Sequence, residues 1–259
     1  MTNNNPIGLF DSGIGGTSIW KEIHSLLPNE DTIYLADSKN APYGEKSKEE
    51  IIELSCKNTE FLLNQNCKMI VVACNTATTN AIKELRQKYD IPFIGIEPAI
   101  KPAATHSQTQ KIGILATKGT LNSELFYKNV EKFQDIKIIE QIGFGLVELI
   151  ENGKINSNEM KDLLKKYLTP MIENNIDYLV LGCSHYPYLI PQIKKIIPKN
   201  IQIIDSGEAV ARQTKNILNE KAGFRNSDKN STQIFYTNSD IKVLSDILKN
   251  KYQVQKRDF

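Results

Sequence analysis

The 259-residue sequence predicts an α/β fold of two pseudo-symmetric domains, each a mostly parallel sheet flanked by helices. Two observations support this prediction. Short, uniformly apolar segments rich in β-branched residues alternate with segments whose apolar residues repeat at helical spacing, which is typical of a parallel sheet covered on both faces. The same pattern then restarts near residue 111. We therefore expect two copies of one α/β unit, with an active site in the cleft between them.

The first half of the sequence contains four predicted strands, and each is followed by a loop or a helix. These strands are residues 7–10, 32–36, 69–73 and 92–96. After the first strand, apolar residues repeat at helical spacing until Pro28, which ends the helix. A second helix begins at Ser47, because Ser47 and Glu50 have the spacing of a capping box, and it runs to about Asn64. A third helix begins directly after Cys74.

The second half repeats this order. Its predicted strands are residues 111–115, 136–140, 178–182 and 201–204. A last predicted strand, residues 233–236, lies near the C-terminus. Its predicted helices are residues 122–133, 146–151, 160–172, a segment after Cys183 with Pro187 in its first turn, a segment from residue 207 to about 221, and residues 239–248. We expect residues 1–98, rejoined by 208–259, to form one domain and residues 99–207 to form the other.

Bulk properties argue against several classes of partner. The net charge is +2 and acidic and basic residues are interspersed, so no basic stripe indicates binding to nucleic acid. No apolar run approaches the roughly 20 residues that a membrane-spanning helix needs. The N-terminus lacks the basic and apolar regions of a signal peptide, so we expect a cytoplasmic protein whose thiols stay reduced.

Two cysteines end equivalent predicted strands. Residues 7–10 align with residues 112–115, and Cys74 aligns with Cys183. Residues 93–96 align with residues 201–204, in the same order and at a nearly constant offset. Because ligands of parallel α/β sheets bind beyond the carboxyl ends of the strands, we expect the two thiols to face each other across one cleft.

Two thiols in matching places suggest three kinds of chemistry: a redox pair, a metal site, or an acid and a base on opposite faces of one substrate. The chain has no C-x-x-C pair, and only His185 lies near enough in sequence to serve as a further metal ligand. The acid/base interpretation fits the pseudo-symmetry best, so we expect no metal. A helix N-terminus next to Cys74 is expected to lower the pKa of its thiol below about 8.5.

Polar residues that surround the two predicted strand ends suit a small charged substrate. Asn75, Thr76 and Ser184 lie at helix starts, where carboxylates bind well. Asp11 ends the first strand and can hold an ammonium group or assist a thiol, and His185 can assist Cys183. Ser12 and the backbone of Tyr43 and Gly44 can add further contacts. A nucleotide is not expected, because the glycines after the first strand do not complete a G-x-G-x-x-G fingerprint.

Four motifs of the chain resemble those of glutamate racemases, within the wider aspartate/glutamate racemase superfamily. They are Phe10-Asp11-Ser12-Gly13-Ile14-Gly15-Gly16, Ala41-Pro42-Tyr43-Gly44, Ala73-Cys74-Asn75-Thr76-Ala77 and Gly182-Cys183-Ser184-His185-Tyr186-Pro187. The resemblance extends from about residue 6 to about residue 250. It implies a cofactor-independent isomerase that supplies D-glutamate for peptidoglycan and cell shape, and that commonly forms homodimers.

The resemblance also implies a role for each site residue. Cys74 would deprotonate D-glutamate and Cys183 would deprotonate L-glutamate, and Asp11 and His185 would assist them. The residues implied in substrate binding are Asp11, Ser12, Tyr43, Gly44, Asn75, Thr76, Ser184 and His185. Two other functions stay open: a racemase for aspartate or another acidic amino acid, and a non-catalytic two-lobed module that binds an amino acid.

The chain departs from the family pattern at two places. Ser184 stands where the family usually has threonine, which keeps the hydroxyl but loses a methyl group. Gly143 and Phe144 stand where the family often has Cys-Pro, although Glu151 and Gly153 keep the end of that segment. The sequence therefore leaves open whether Glu151 acts as a third acidic helper.

Overall fold

The computed structural model describes residues 2–259 and contains ten strands and eleven α-helices within them. The strands are β1 Ile7–Asp11, β2 Thr32–Ala36, β3 Met69–Val72, β4 Phe93–Gly95, β5 Lys111–Ala116, β6 Lys137–Ile142, β7 Tyr178–Gly182, β8 Gln202–Ile204, β9 Gln233–Thr237 and β10 Val254–Lys256. The helices are α1 Thr17–Leu26, α2 Lys48–Asn64, α3 Asn75–Lys88, α4 Ile100–His106, α5 Lys118–Leu121, α6 Glu124–Val130, α7 Leu146–Glu151, α8 Asn158–Glu173, α9 Ile190–Ile193, α10 Gly207–Ile217 and α11 Ile241–Ile247.

The strands form two parallel sheets with matching topology. The first has the order β10-β9-β2-β1-β3-β4 and the second has the order β6-β5-β7-β8. In the first, Ile7 lies opposite Met69, and in the second, Ile112 lies opposite Tyr178, which is the register that the predicted alignment requires. The predicted fold class, parallel sheets flanked by helices in two similar units, is confirmed.

Burial explains why the central strands are uniformly apolar. All five residues of β1 and all four of β3 are buried, because other strands flank them in the sheet and helices cover its faces. One hydrophobic cluster continues from the first sheet into the second, through Ile14 and Leu146. We call β1–β4, β9 and β10 with the helices packed on them the first half, and β5–β8 with theirs the second half. The finer domain boundaries, 1–98 with 208–259 and 99–207, stay a prediction.

Several local details differ from the sequence predictions. The segment after Cys183 is a 3₁₀ turn, Tyr186–Leu189, followed by the single turn of α9, rather than a regular helix. The helix predicted at residues 122–133 is present but shorter, as α6 Glu124–Val130, and Ser123 caps it by accepting the N–H of Phe126. Helix α4 and strand β10 were not predicted.

Two local predictions are confirmed. The capping box of α2 is present, with Ser47 and Glu50 each bonding the backbone N–H of the other. The thiol of Cys74 lies between the end of β3 and the first turn of α3.

In the part of the chain that the structure describes, every helix is too short or too polar to cross a bilayer.

Candidate active site

The predicted site residues gather where the carboxyl ends of the two sheets meet. Asp11 is the last residue of β1, Cys74 follows β3, and Cys183 directly follows β7. The two halves touch here, because the Ser184 hydroxyl of the second half donates a hydrogen bond to Asp11 Oδ1 of the first at 2.9 Å. The interface is closed, since both thiols and the Asp11 carboxylate are almost fully buried.

Cys74 caps α3 and has its polar partners in the first half. Its Sγ accepts the N–H of Ala77 at 3.4 Å and lies 3.6 Å from Ser12 Oγ. Burial raises the pKa of the Cys74 thiol, and the charge of Asp11 raises it further, while the bonds from Ala77 and Ser12 oppose the shift. The expected lowering of this pKa is therefore wrong. A helix N-terminus contributes only about 0.3–1 kcal/mol, whereas full burial can shift a pKa by up to about 3–5 units.

Cys183 has a different neighbour, the imidazole of His185. The Nδ1 atom of His185 lies 3.8 Å from Cys183 Sγ. The backbone folds tightly here, because the N–H of Tyr186 donates to the carbonyl oxygen of Cys183 at 3.1 Å. The predicted contact between Cys183 and His185 is present, but it arises from a 3₁₀ turn and not from the start of a regular helix.

His185 is buried among acidic groups. Its Nε2 lies 2.6 Å from Glu151 Oε1 and 4.0 Å from Asp11 Oδ2. Burial alone lowers the pKa of His185, but the contacts with Cys183 and Glu151 and the charge of Asp11 outweigh it, and the net result is a pKa well above the usual value. This shift favours the protonated, positively charged form of the ring next to Cys183.

Glu151, whose role the sequence left open, joins His185 to the first half. It is the last residue of α7, and its carboxylate accepts the N–H of Ile14 at 2.7 Å and the hydroxyl of Ser38 at 2.8 Å. One carboxylate thus binds two loops of the first half and the imidazole of the second. Sequence spacing does not reveal this contact, because it depends on how the two halves dock.

Asp11 is held rigidly by its own loop. Its Oδ2 accepts the N–H groups of Gly13 and Gly16, both at 3.1 Å. Burial raises the pKa of Asp11, while the nearby His185 and the N–H of Gly16 lower it, and the net shift is upward. A buried carboxylate between the two thiol-bearing loops can hold an ammonium group or influence the charge of a thiol.

Asn75 and Thr76 are the first two residues of α3, where backbone N–H groups have no partner within the helix. Asn75 is buried, yet neither its Nδ2 nor its Oδ1 atom has a hydrogen-bond partner among residues 2–259. Because an unpaired buried amide is costly, such a group in a native site indicates a ligand that completes it. The Thr76 hydroxyl instead meets Thr117 and Thr120 of the second half, at 2.8 and 3.3 Å.

Tyr43 and Gly44 lie where the first half approaches Thr117 of the second. The Tyr43 hydroxyl donates to Asp37 and accepts from Asn58, so it is occupied within the first half. Gly44 lies against Thr117 of the second half, where an added Cβ would come within 2.8 Å of the threonine Cβ. Glycine at this position therefore allows the two halves to approach closely.

Five further polar residues, which the sequence did not predict as part of the site, lie close to it. They lie at the same edges of the sheets: Asp37, Ser38, Thr117, Thr120 and Asn238. Asp37 directly follows β2, Thr117 follows β5 and Asn238 follows β9, so the rule that ligands lie beyond strand ends could have found these three. Within residues 2–259, no three His, Cys, Asp or Glu side chains group together as metal ligands would.

Known proteins with the same architecture carry closely related sequences. The Asp/Glu/hydantoin racemase family model matches residues 7–214. A glutamate racemase of Ralstonia pickettii is 45% identical over 240 residues, which cover 92% of this chain and 85% of that protein. The crystal structure of Escherichia coli glutamate racemase in complex with L-glutamate superposes with a TM-score of 0.88 at 32% identity, over 97% of each chain. That of the Francisella tularensis enzyme in complex with D-glutamate gives 0.84 at 30% identity, over 98% of each chain.

Proposed function

We propose that this chain, which belongs to the Asp/Glu/hydantoin racemase family, is a cofactor-independent glutamate racemase. One thiol removes the Cα proton and the other thiol supplies a proton to the opposite face. One observation carries the proposal. Cys74 and Cys183 follow equivalent strands of two similar sheets, and both thiols are buried beside the contact of Ser184 with Asp11 that joins the two halves. The names of the similar proteins support glutamate as the substrate.

The different surroundings of the thiols suit the reaction from L- to D-glutamate. A thiolate at Cys183, next to the positively charged His185, removes the Cα proton from one face of L-glutamate. The raised pKa of Cys74 keeps its thiol protonated, so it can donate a proton to the opposite face. The bond from Cα to hydrogen breaks on the Cys183 side, and a new one forms on the Cys74 side. In the reverse direction the two thiols exchange roles.

The remaining groups bind the substrate and stabilise the carbanion. The unpaired Asn75 carboxamide and the N–H groups that begin α3 suit a carboxylate. The Ser184 hydroxyl is a further contact, and Asp11 suits the ammonium group. Because these side chains are almost completely buried, water is excluded when the interface is closed, which strengthens every electrostatic contact with the developing negative charge.

Several finer statements belong to the same proposal. We infer that the product serves peptidoglycan synthesis and thereby cell shape, as the resemblance implies. A cytoplasmic location, a homodimer and the absence of a metal or organic cofactor are also predictions. Comparing turnover of L-glutamate with that of L-aspartate distinguishes the proposed substrate from the alternative acidic amino acid.

Two single substitutions test the mechanism. We expect Cys74→Ser and Cys183→Ser each to lower the racemisation rate by at least about 10²-fold, because each removes one acid/base group. Circular dichroism of each enantiomer measures the rate in both directions. Cys56→Ser is the control, because Cys56 is a free thiol within α2, outside the site, and it should racemise like the wild type. Racemisation at the wild-type rate by either of the first two variants would contradict the two-thiol mechanism.

A further inference from the structure

A chain of hydrogen bonds outside the proposed reaction links the two halves next to Cys183. Lys21 Nζ of α1 donates to Tyr188 OH at 3.1 Å, and Tyr188 OH lies 2.5 Å from Thr17 Oγ1. Thr17 in turn donates to the carbonyl oxygen of Ile14 at 2.6 Å. Each hydroxyl has one hydrogen to donate, so Tyr188 must donate to Thr17 while it accepts from Lys21. Both hydroxyls therefore donate one hydrogen bond and accept another, and every bond of the series points from Lys21 towards Ile14.

Tyr188 is connected to the second thiol by a stiff piece of backbone. Only four residues separate it from Cys183, and Tyr188 itself lies in the 3₁₀ turn Tyr186–Leu189 that follows β7. The N–H of Tyr188 donates to the carbonyl oxygen of His185 at 3.2 Å, and that of Tyr186 donates to Cys183. A shift of the Tyr188 ring therefore moves the loop that carries His185 and Cys183.

The same loop is held at a second point. The Ser18 hydroxyl, on the first turn of α1, donates to the carbonyl oxygen of Ser184 at 2.8 Å. Lys21 also lies over the face of the Tyr188 ring, 4.7 Å from its centroid. Thr17 is fully buried, so its contact with Tyr188 is not exposed to competition from solvent.

The two thiols differ in what holds them. Cys74 bonds to Ala77 and Ser12, which both belong to its own half. The loop of Cys183 is held by α1, an element of the opposite half. The Cys183 loop thus contacts α1 of the opposite half, whereas the two polar contacts of the Cys74 sulfur stay within its own half, although Thr76 beside it meets Thr117.

We propose that Thr17, Lys21 and Tyr188 form a positioning clamp that sets the Cys183–His185 loop for proton transfer and leaves Cys74 unaffected. This inference rests on the proposed racemase function. The clamp residues act through Cys183 and His185 and do not touch the reacting atoms. Loss of the clamp therefore slows removal of the Cα proton from L-glutamate by Cys183 more than its removal from D-glutamate by Cys74.

Half-reactions separate these two effects. A glutamate with chloride at Cβ loses its Cα proton to one thiolate and then its chloride, and water converts the resulting enamine to 2-oxoglutarate and ammonia. The Cys74→Ser variant keeps only Cys183 and acts on the L-analogue, and Cys183→Ser keeps only Cys74 and acts on the D-analogue. We expect Tyr188→Phe, added to each variant, to slow release of 2-oxoglutarate about 5- to 10-fold in the first and less than about 2-fold in the second.

Three further variants test whether the contact between the Thr17 and Tyr188 hydroxyls is responsible. Thr17→Val should slow the Cys183 half-reaction selectively, as Tyr188→Phe does, whereas Thr17→Ser keeps a hydroxyl and should keep the parent rate. Thr17→Val combined with Tyr188→Phe should slow that half-reaction no more than either substitution alone. Tyr167→Phe is the matched control. It removes a tyrosine hydroxyl that bonds to Phe144 within the second half, so neither half-reaction should change.

The outcomes separate failure of the clamp from failure of the racemase function. Equal slowing of both half-reactions by Tyr188→Phe, or no slowing in either, overturns the clamp while the parent variants still eliminate chloride. Absence of elimination in both parent variants, with intact fold by circular dichroism, overturns the two-thiol function on which the clamp rests.

Discussion

At the scale of single residues, Cys74 and Cys183 occupy equivalent places in different electrostatic surroundings. Burial and Asp11 favour a protonated thiol at Cys74. Cys183 lies next to the charged ring of His185, which Glu151 also contacts. The two thiols therefore differ in their surroundings although the strands that precede them are equivalent.

The pH dependence of stability should report the charge on His185. The pKa of His185 is raised in the folded state, so its stabilising effect is fully present below the unfolded value of about 6.5 and is lost as the pH rises through the folded pKa. We expect the free energy of unfolding of the wild type, minus that of His185→Gln, to fall as the pH rises from about 6.5. Urea unfolding at several pH values measures it. A difference that stays constant, or that grows with pH, contradicts a charged His185.

The sequence predicted the residues of the site better than their electrostatics. Asp11, Cys74 and Cys183 all follow from one rule, that ligands lie beyond the carboxyl ends of parallel strands. The contact of Glu151 with His185 does not follow from it, because α7 reaches His185 only through tertiary packing. The pKa of Cys74 was predicted in the wrong direction because burial, which sequence does not quantify, outweighs the helix dipole.

At the scale of elements, the sulfur of Cys74 between β3 and α3 has two separate roles. Cys74 Sγ caps α3 by accepting the N–H of Ala77, and the same sulfur is the proposed acid. The corresponding unit after β7 lacks this arrangement, since Cys183 precedes a 3₁₀ turn whose first residue has no side-chain cap. Substitution of Cys74 should therefore lower the stability of the fold in a way that substitution of Cys183 does not, even though we expect either substitution to remove the activity.

We expect Cys74→Ala to be less stable than Cys74→Ser by about 1 kcal/mol, because serine keeps a cap acceptor and alanine does not. The matched pair Cys183→Ala and Cys183→Ser should differ by less than about 0.5 kcal/mol, since no cap is lost there. Urea unfolding of the four variants gives the free energies. Equal stability of the two Cys74 variants would show that the sulfur does not cap α3.

Local patterns predicted the long and buried elements and missed the short ones. The strand β3 and the helix α2 have strong signals, a uniformly apolar run and a capping box. The strand β10 has three residues and lies at the edge of its sheet, so neither burial nor alternation marks it in the sequence. The short helix α4 carries Pro102 in its first turn, which local rules also allow in a loop.

At the scale of the whole molecule, the interface is in a closed state. Contacts between the halves surround the site: Ser184 with Asp11, Thr76 with Thr117, and Glu151 with Ile14. The site residues are almost completely buried, so we expect the halves to move apart when substrate enters. The repeat in the sequence predicted a cleft between two units, but it contained no information on how tightly the cleft closes.

Solvent exchange at Cα tests the central claim, which is that two thiols on opposite faces carry the proton. L-glutamate is incubated with the desalted protein in heavy water without any added cofactor, and proton NMR with chiral analysis follows both enantiomers. Early in the reaction we expect D-glutamate that carries deuterium at Cα, together with remaining L-glutamate that is still protonated, because the proton leaves to Cys183 and deuterium arrives from Cys74. Deuterium entering both enantiomers at equal initial rates, or no exchange at all, would contradict the account.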